Sequence, residues 1–102
     1  MELARVEGKI VSTIKSDRLK GRKLTVINIV GPDLKPTKNY LVAIDPLGAG
    51  AGEIVLAVRG SSARQSDELS SVPTDTSIVA IVDAVELNGK LVFQKDRESK
   101  ED

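Results

Sequence analysis

With 102 residues, 40% of them hydrophobic and 29% charged, the chain can fold as one domain but has no room for a second full core. It contains no Cys and no His, which removes disulfides, thiol nucleophiles, thiolate metal sites and the commonest general base, and so weighs against an enzyme. Fifteen basic and fifteen acidic residues cancel overall, but unevenly: residues 1–40 carry nine Lys/Arg against four Asp/Glu, and residues 41–94 carry three against seven.

The first residues, MELARVEGKIV, place Glu2, Arg5, Glu7 and Lys9 where a secretory signal needs an apolar run. The longest apolar runs, such as IVAIV at 78–82, are too short to span a bilayer. A cytoplasmic protein without membrane contact is expected. LARVEGKIVSTI, 3–14, reads as a first strand with Gly8 at a bulge. SDRLKGR is a polar turn, and KLTVINIV, 23–30, is a second strand ended by the turn signal GPD. LKPTKN prolongs that loop, YLVAID, 40–45, is a third strand, and Pro46 stops it.

A glycine-rich loop follows, and then EIVLAVR, 53–59, is β-branched and too short for a typical helix, so it reads as a fourth strand. GSSARQSDELSS can form a one- or two-turn helix with Ser61 or Ser62 as N-cap. SIVAIVDAVEL, 77–87, is a fifth long strand, NGK at 88–90 is a hairpin signal, and LVFQK returns from it. The expected fold is all-β: a small five-stranded OB-like β-barrel with one short helix and a terminal hairpin, occupying residues 1–95. The polar tail, residues 96–102, mixes both charges, has no apolar residue and is expected to be disordered.

In the glycine loop, Gly48, Gly50 and Gly52 alternate with Ala49 and Ala51. A dinucleotide loop needs a helix behind its glycines, whose N-terminus faces the phosphates, and it needs Gly at its first, third and sixth positions. Here a strand follows and Glu53 stands at the sixth position, so no nucleotide and no other cofactor is expected. Three glycines exceed what one turn requires, which points to close packing against another backbone, a ligand or a symmetry mate.

The basic segment KSDRLKGRK holds Lys15, Arg18, Lys20, Arg22 and Lys23. On an OB-like barrel it invites a single-strand nucleic-acid reading, the alternative function. That reading needs aromatic stacking platforms, and the chain has only Tyr40 and Phe93. A solvated loop or an acidic protein neighbour suits the segment better. Asp45, Glu53 and Asp83 sit near strand ends, where Asp usually accepts hydrogen bonds from turn backbone, so no catalytic site and no metal site is assigned to them.

ARVEGKIVSTIK at the start, AIDPLGAGAGE at 43–53, RGSSARQ at 59–65 and IVAIVDAVE at 78–86 together resemble the EutN/CcmL family of pentameric microcompartment shell proteins, which includes the carboxysome vertex proteins. The combination D-x-x-G-A-G-x-G-E with G-S-S-A-R about seven residues later carries the resemblance, which runs from about Leu3 to Lys95.

The resemblance implies a barrel that assembles as a homopentamer at the five-fold vertices of a polyhedral shell in the cytoplasm. Hexameric shell proteins tile the facets of that shell, and enzymes are enclosed within it. It implies a structural protein, not an enzyme. By the same analogy Asp45, Gly48, Ala49, Gly50, Gly52 and Glu53 form the loop that approaches symmetry mates near the axis. Ser61, Ser62, Ala63 and Arg64 form a short helix beside the subunit boundary, with Arg64 pairing across it. Two positions depart from the family pattern: Ile54 stands where many members carry an aromatic, and Pro73-Thr74-Asp75 replaces the usual Pro-Val-Asp.

Overall fold

The computed structural model describes residues 1–11, 13, 20–59 and 76–95. The strands are β1 (Glu2–Lys9), β2 (Leu24–Val30), β3 (Pro36–Ile44), β4 (Ile54–Arg59), β5 (Thr76–Ile81), β6 (Ala84–Leu87) and β7 (Lys90–Gln94). The first five close into a barrel of order β1-β2-β3-β5-β4, with β4 returning to β1. All pairs are antiparallel except β3 with β5, which meet in parallel at Ile44 and Ser77. This is the OB-like barrel expected from the sequence.

Strand alternation fills the barrel. Ala4, Val6, Ile27, Ala43, Ala49, Val55, Ala57 and Ile78 point inward and are almost completely buried. Five strands enclose a narrow interior, so alanines must alternate with branched residues for the layers to fit. Each fully buried Ile or Val stabilises the barrel by roughly 1.5–3 kcal/mol relative to exposure. Gly8 sits at the expected irregularity: the β1–β2 register shifts between Val6 and Gly8.

A second, smaller core lies outside the barrel. Val30, Leu34 and Ile54 are buried there, with Leu3, Val82, Val85 and Phe93 packed against them. Leu34 reaches this core from the turn after β2 with φ at 66°, a left-handed conformation that costs a non-glycine residue about 1–2 kcal/mol. Its burial offsets that cost.

Three expected strands differ in extent. The first ends at Lys9 instead of residue 14, and Val11 beyond it is almost fully exposed. The third begins at Pro36, not Tyr40, so the segment expected to remain loop is partly strand. PTKN lacks apolar alternation because much of its bonding goes to one buried side chain. The Asn28 side-chain amide donates to the carbonyls of Thr37 (2.8 Å) and Asn39 (3.2 Å), which closes the register shift between Asn28 and Val30. The long strand expected over 77–87 is two strands in different sheets. Its alternation has no Gly or Pro to mark the break, but after the Val82 N–H bonds the Ile54 carbonyl (2.8 Å) the chain leaves the barrel. The hairpin β6–β7 follows, turning at Asn88 (φ 55°) and Gly89 (φ 78°), the pair of left-handed residues that a type I′ turn requires. The short helix expected after β4 and the tail, residues 96–102, lie outside the described residues.

Candidate functional site

The loop between β3 and β4 is organised by the carboxylates at its two ends. Asp45, at the end of β3, is 3% exposed. Its Oδ1 accepts the N–H groups of Leu47 (3.0 Å) and Gly48 (2.9 Å), and its Oδ2 accepts that of Ala49 (2.7 Å). Its own N–H donates to the Lys23 carbonyl at 2.9 Å, which anchors the turn to the start of β2. This is an Asx-type turn, built because Pro46 cannot continue the strand ladder and three successive amides then need one acceptor. Ala49 follows into the barrel core and holds the loop against the barrel end.

At the other end, the Glu53 Oε1 accepts the Gly50 N–H at 2.6 Å and the Oε2 meets the Lys95 ammonium at 2.7 Å. The hydrogen bond from Lys95, followed by that from Gly50, holds the Glu53 carboxyl below the ordinary carboxylate value; partial burial opposes them. Two backbone bonds lace this end to β1, from Gly52 N–H to the Val6 carbonyl (2.8 Å) and from Val6 N–H to the Glu53 carbonyl (2.9 Å).

The three glycines answer to different demands. Gly48 (φ 74°) and Gly52 (φ 88°) adopt left-handed backbone that L side chains avoid. Gly50 does not. A Cβ added to it would meet only the Glu53 Oε1, at 3.5 Å, an ordinary contact. Nothing among the described residues requires position 50 to lack a side chain.

The loop borders two clefts. One, of about 210 Å³, is lined by Lys9, Lys23, Asp45, Gly48 and Gly50 among others, and its neighbour, of about 360 Å³, shares Lys23, Asp45 and Gly48. The six loop residues singled out from the sequence fall into two adjoining hydrogen-bonded groups: Asp45 with Gly48 and Ala49, and Glu53 with Gly50 and, through Val6, Gly52. Ser61, Ser62, Ala63 and Arg64 lie outside the described residues. Sequence reasoning missed Lys95, which it read only as the last residue of the returning strand, and Val6. Only the return of the hairpin brings Lys95 to Glu53, and no local signal marks it.

Of the carboxylates considered for acid–base work, Asp45 is engaged by three amides and Glu53 by an amide and an ammonium, while Asp83 is exposed just past the end of β5. The two aromatics form no stacking platform, because Tyr40 is exposed on β3 while Phe93 packs into the second core. The basic segment falls partly outside the described residues.

The sequence model of the family described as "Ethanolamine utilisation protein EutN/carboxysome" matches residues 1–83, the whole barrel including this loop. The chain belongs to the EutN/CcmL family. It is 42% identical over 95 residues to the bacterial microcompartment shell vertex protein EutN of Escherichia coli, covering 93% of this chain and 100% of that protein. It is 41% identical over 95 residues to the carboxysome shell vertex protein CcmL of Thermosynechococcus vestitus, covering 93% and 96%. The solved structure of the GrpN pentameric microcompartment shell protein from Rhodospirillum rubrum superposes with a TM-score of 0.77 at 44% identity, covering 85% of this chain and 99% of that one. The EutN/CcmL sequence model ends at residue 83, so the hairpin β6–β7 lies beyond it.

Proposed function

We propose that the chain is a structural shell protein whose homopentamer caps the five-fold vertices of a polyhedral bacterial microcompartment. The near full-length relationship to shell vertex proteins carries the reading. A flat net of hexamers cannot close on itself without pentagons, so the partners are hexameric shell proteins and the effect is closure of the shell around enclosed enzymes. The protein itself is not an enzyme; two of its candidate acids, Asp45 and Glu53, serve the backbone of one loop.

In this reading Gly50 sits where five copies of the loop converge. Asp45 and Glu53 shape the loop from within the subunit, Gly48 and Gly52 allow its backbone path, and position 50 stays bare because the neighbour is close. The segment with Ser61, Ser62, Ala63 and Arg64 lies at the subunit boundary. The barrel, residues 1–95, is the shell domain, and residues 96–102 are an appended polar tail.

Native mass spectrometry tests the assembly. A ring should weigh about 55 kDa, five times the 10.9 kDa chain. Co-expression with hexameric shell proteins should then give closed polyhedra, and omitting this chain should give open or elongated shells. A monomer at every concentration, or closed shells without the chain, would overturn the reading.

A further inference from the structure

Two apolar surfaces of the subunit have no cover among the described residues, and they differ in kind. The first is the outer side of the hairpin. Its inner side, with Val85 and Phe93, packs into the second core. The register then jumps from Val85↔Phe93 to Glu86↔Leu91, so Val92 has no partner and two apolar residues oppose one acid. A bulge of this kind re-aims side chains. Leu91 and Val92 remain 48% and 39% exposed.

The second is the outer side of β3. Leu41 and Ala43 face the barrel core, so Tyr40 and Val42 face out, 58% and 49% exposed. Val42 stands opposite Val26 on β2, an apolar pair on the side of the sheet where alternation normally places polar residues.

We propose that in the ring the outer side of the hairpin of one subunit, at Leu91 and Val92, seats on the Tyr40–Val42 face of β3 in the next copy of the same chain. This rests on the pentamer reading given above. A ring of five needs two unlike patches on each subunit, joined head to tail, whereas a patch that paired with itself would close a two-fold dimer. The charges select the same arrangement. Lys38 is exposed two residues before Tyr40, Glu86 is exposed opposite Leu91, and neither forms an ion pair with another of the described residues. Self-pairing would set Glu86 against Glu86 or Lys38 against Lys38, while the crossed arrangement brings opposite charges together. The hairpin has its own reason to dock: a two-stranded sheet is marginal alone, and here only one side is covered.

The absence of native cysteine makes a direct test possible. The wild type is first weighed; a monomer would overturn the pentamer reading, and the seating with it. If the wild type is a ring, the double variant Val42→Cys/Val92→Cys, confirmed as a ring, is treated with a short bismaleimide and run under denaturing conditions. The expected result is a covalent ladder ending at five chains, with neither single variant giving more than traces of dimer. An intact ring with no ladder, or efficient dimers from Val92→Cys alone, would overturn the seating and leave the pentamer reading standing. As a second measurement, Lys38→Glu and Glu86→Lys should each raise the concentration for half-dissociation about tenfold, and the two together should restore it. A double variant no tighter than the singles would overturn the pairing of Lys38 with Glu86.

Discussion

At the upstream end of the glycine loop a buried carboxylate, Asp45, accepts three successive backbone amides from the next four residues, whereas at the downstream end the half-buried Glu53 accepts one and gives its other oxygen to Lys95. The first end is a local turn, complete within its own segment. The second is a junction of three elements, where loop, β1 and the base of the hairpin meet. The contrast separates two kinds of glycine between them. Gly48 and Gly52 serve the path of the chain, while Gly50 is bare without a reason among the described residues. The loop is thus rigidly built by its own subunit yet leaves its centre open.

The largest effect should come from the upstream end. Asp45→Ala would remove the acceptor of three amides, one of them buried at Ala49, and a loss of about 3 kcal/mol in chemical denaturation is expected. Asp45→Asn keeps one acceptor oxygen and should lose about half as much. A loss below about 1 kcal/mol for the alanine variant would erase the distinction between the two ends. Next come Gly48→Ala and Gly52→Ala, each expected to cost about 1–2 kcal/mol because the added Cβ meets a left-handed backbone, not a crowded neighbour.

This contrast also marks what the sequence reveals. Asp45 was legible because a turn acid followed by Pro46 and glycine acts on its immediate neighbours, and the I′ hairpin at Asn88-Gly89 was legible for the same reason. The barrel followed from β-branched strands between turn signals. What stayed hidden depends on residues distant in sequence. Asn28 turns PTKN from loop into strand by supplying side-chain bonds, and no pattern within PTKN announces it. The break at Val82 is set by the second core, which forms only once Leu34, Ile54 and Phe93 have come together. The role of Lys95, at the end of the returning strand, stayed hidden because its partner Glu53 lies in the loop after β3.

The downstream end should yield a smaller effect that varies with pH. Because its carboxyl is held below the ordinary value in the folded chain, Glu53 contributes stability that is fully present above the unfolded carboxylate value and is lost as pH falls through the folded one. Glu53→Gln should therefore be less stable than wild type at neutral pH by no more than about 1 kcal/mol, since the ion pair is partly solvated. The gap should close as the solution is taken down to about pH 3. Melting curves of both proteins across that range check the sign. A gap that widens in acid would mean that the ion pair with Lys95 does not hold this end.

The smallest effect on the barrel is expected at Gly50, and there it should reverse sign. Without a left-handed φ and with only an ordinary contact to the Glu53 oxygen, Gly50→Ala should stabilise the isolated subunit by about 0.5 kcal/mol through the unfolded chain, opposite to its neighbours at 48 and 52. Gly50→Ile should likewise leave a folded barrel by circular dichroism. The proposed ring predicts a different outcome for assembly, because a branched side chain repeated five times around the axis would keep the loops apart. Native mass should then shift from the pentamer toward 10.9 kDa. A Gly50→Ile protein that still ran as a normal pentamer would show that the bare centre of the loop is not where the subunits converge, and the loop's small residues would need another explanation than the axis.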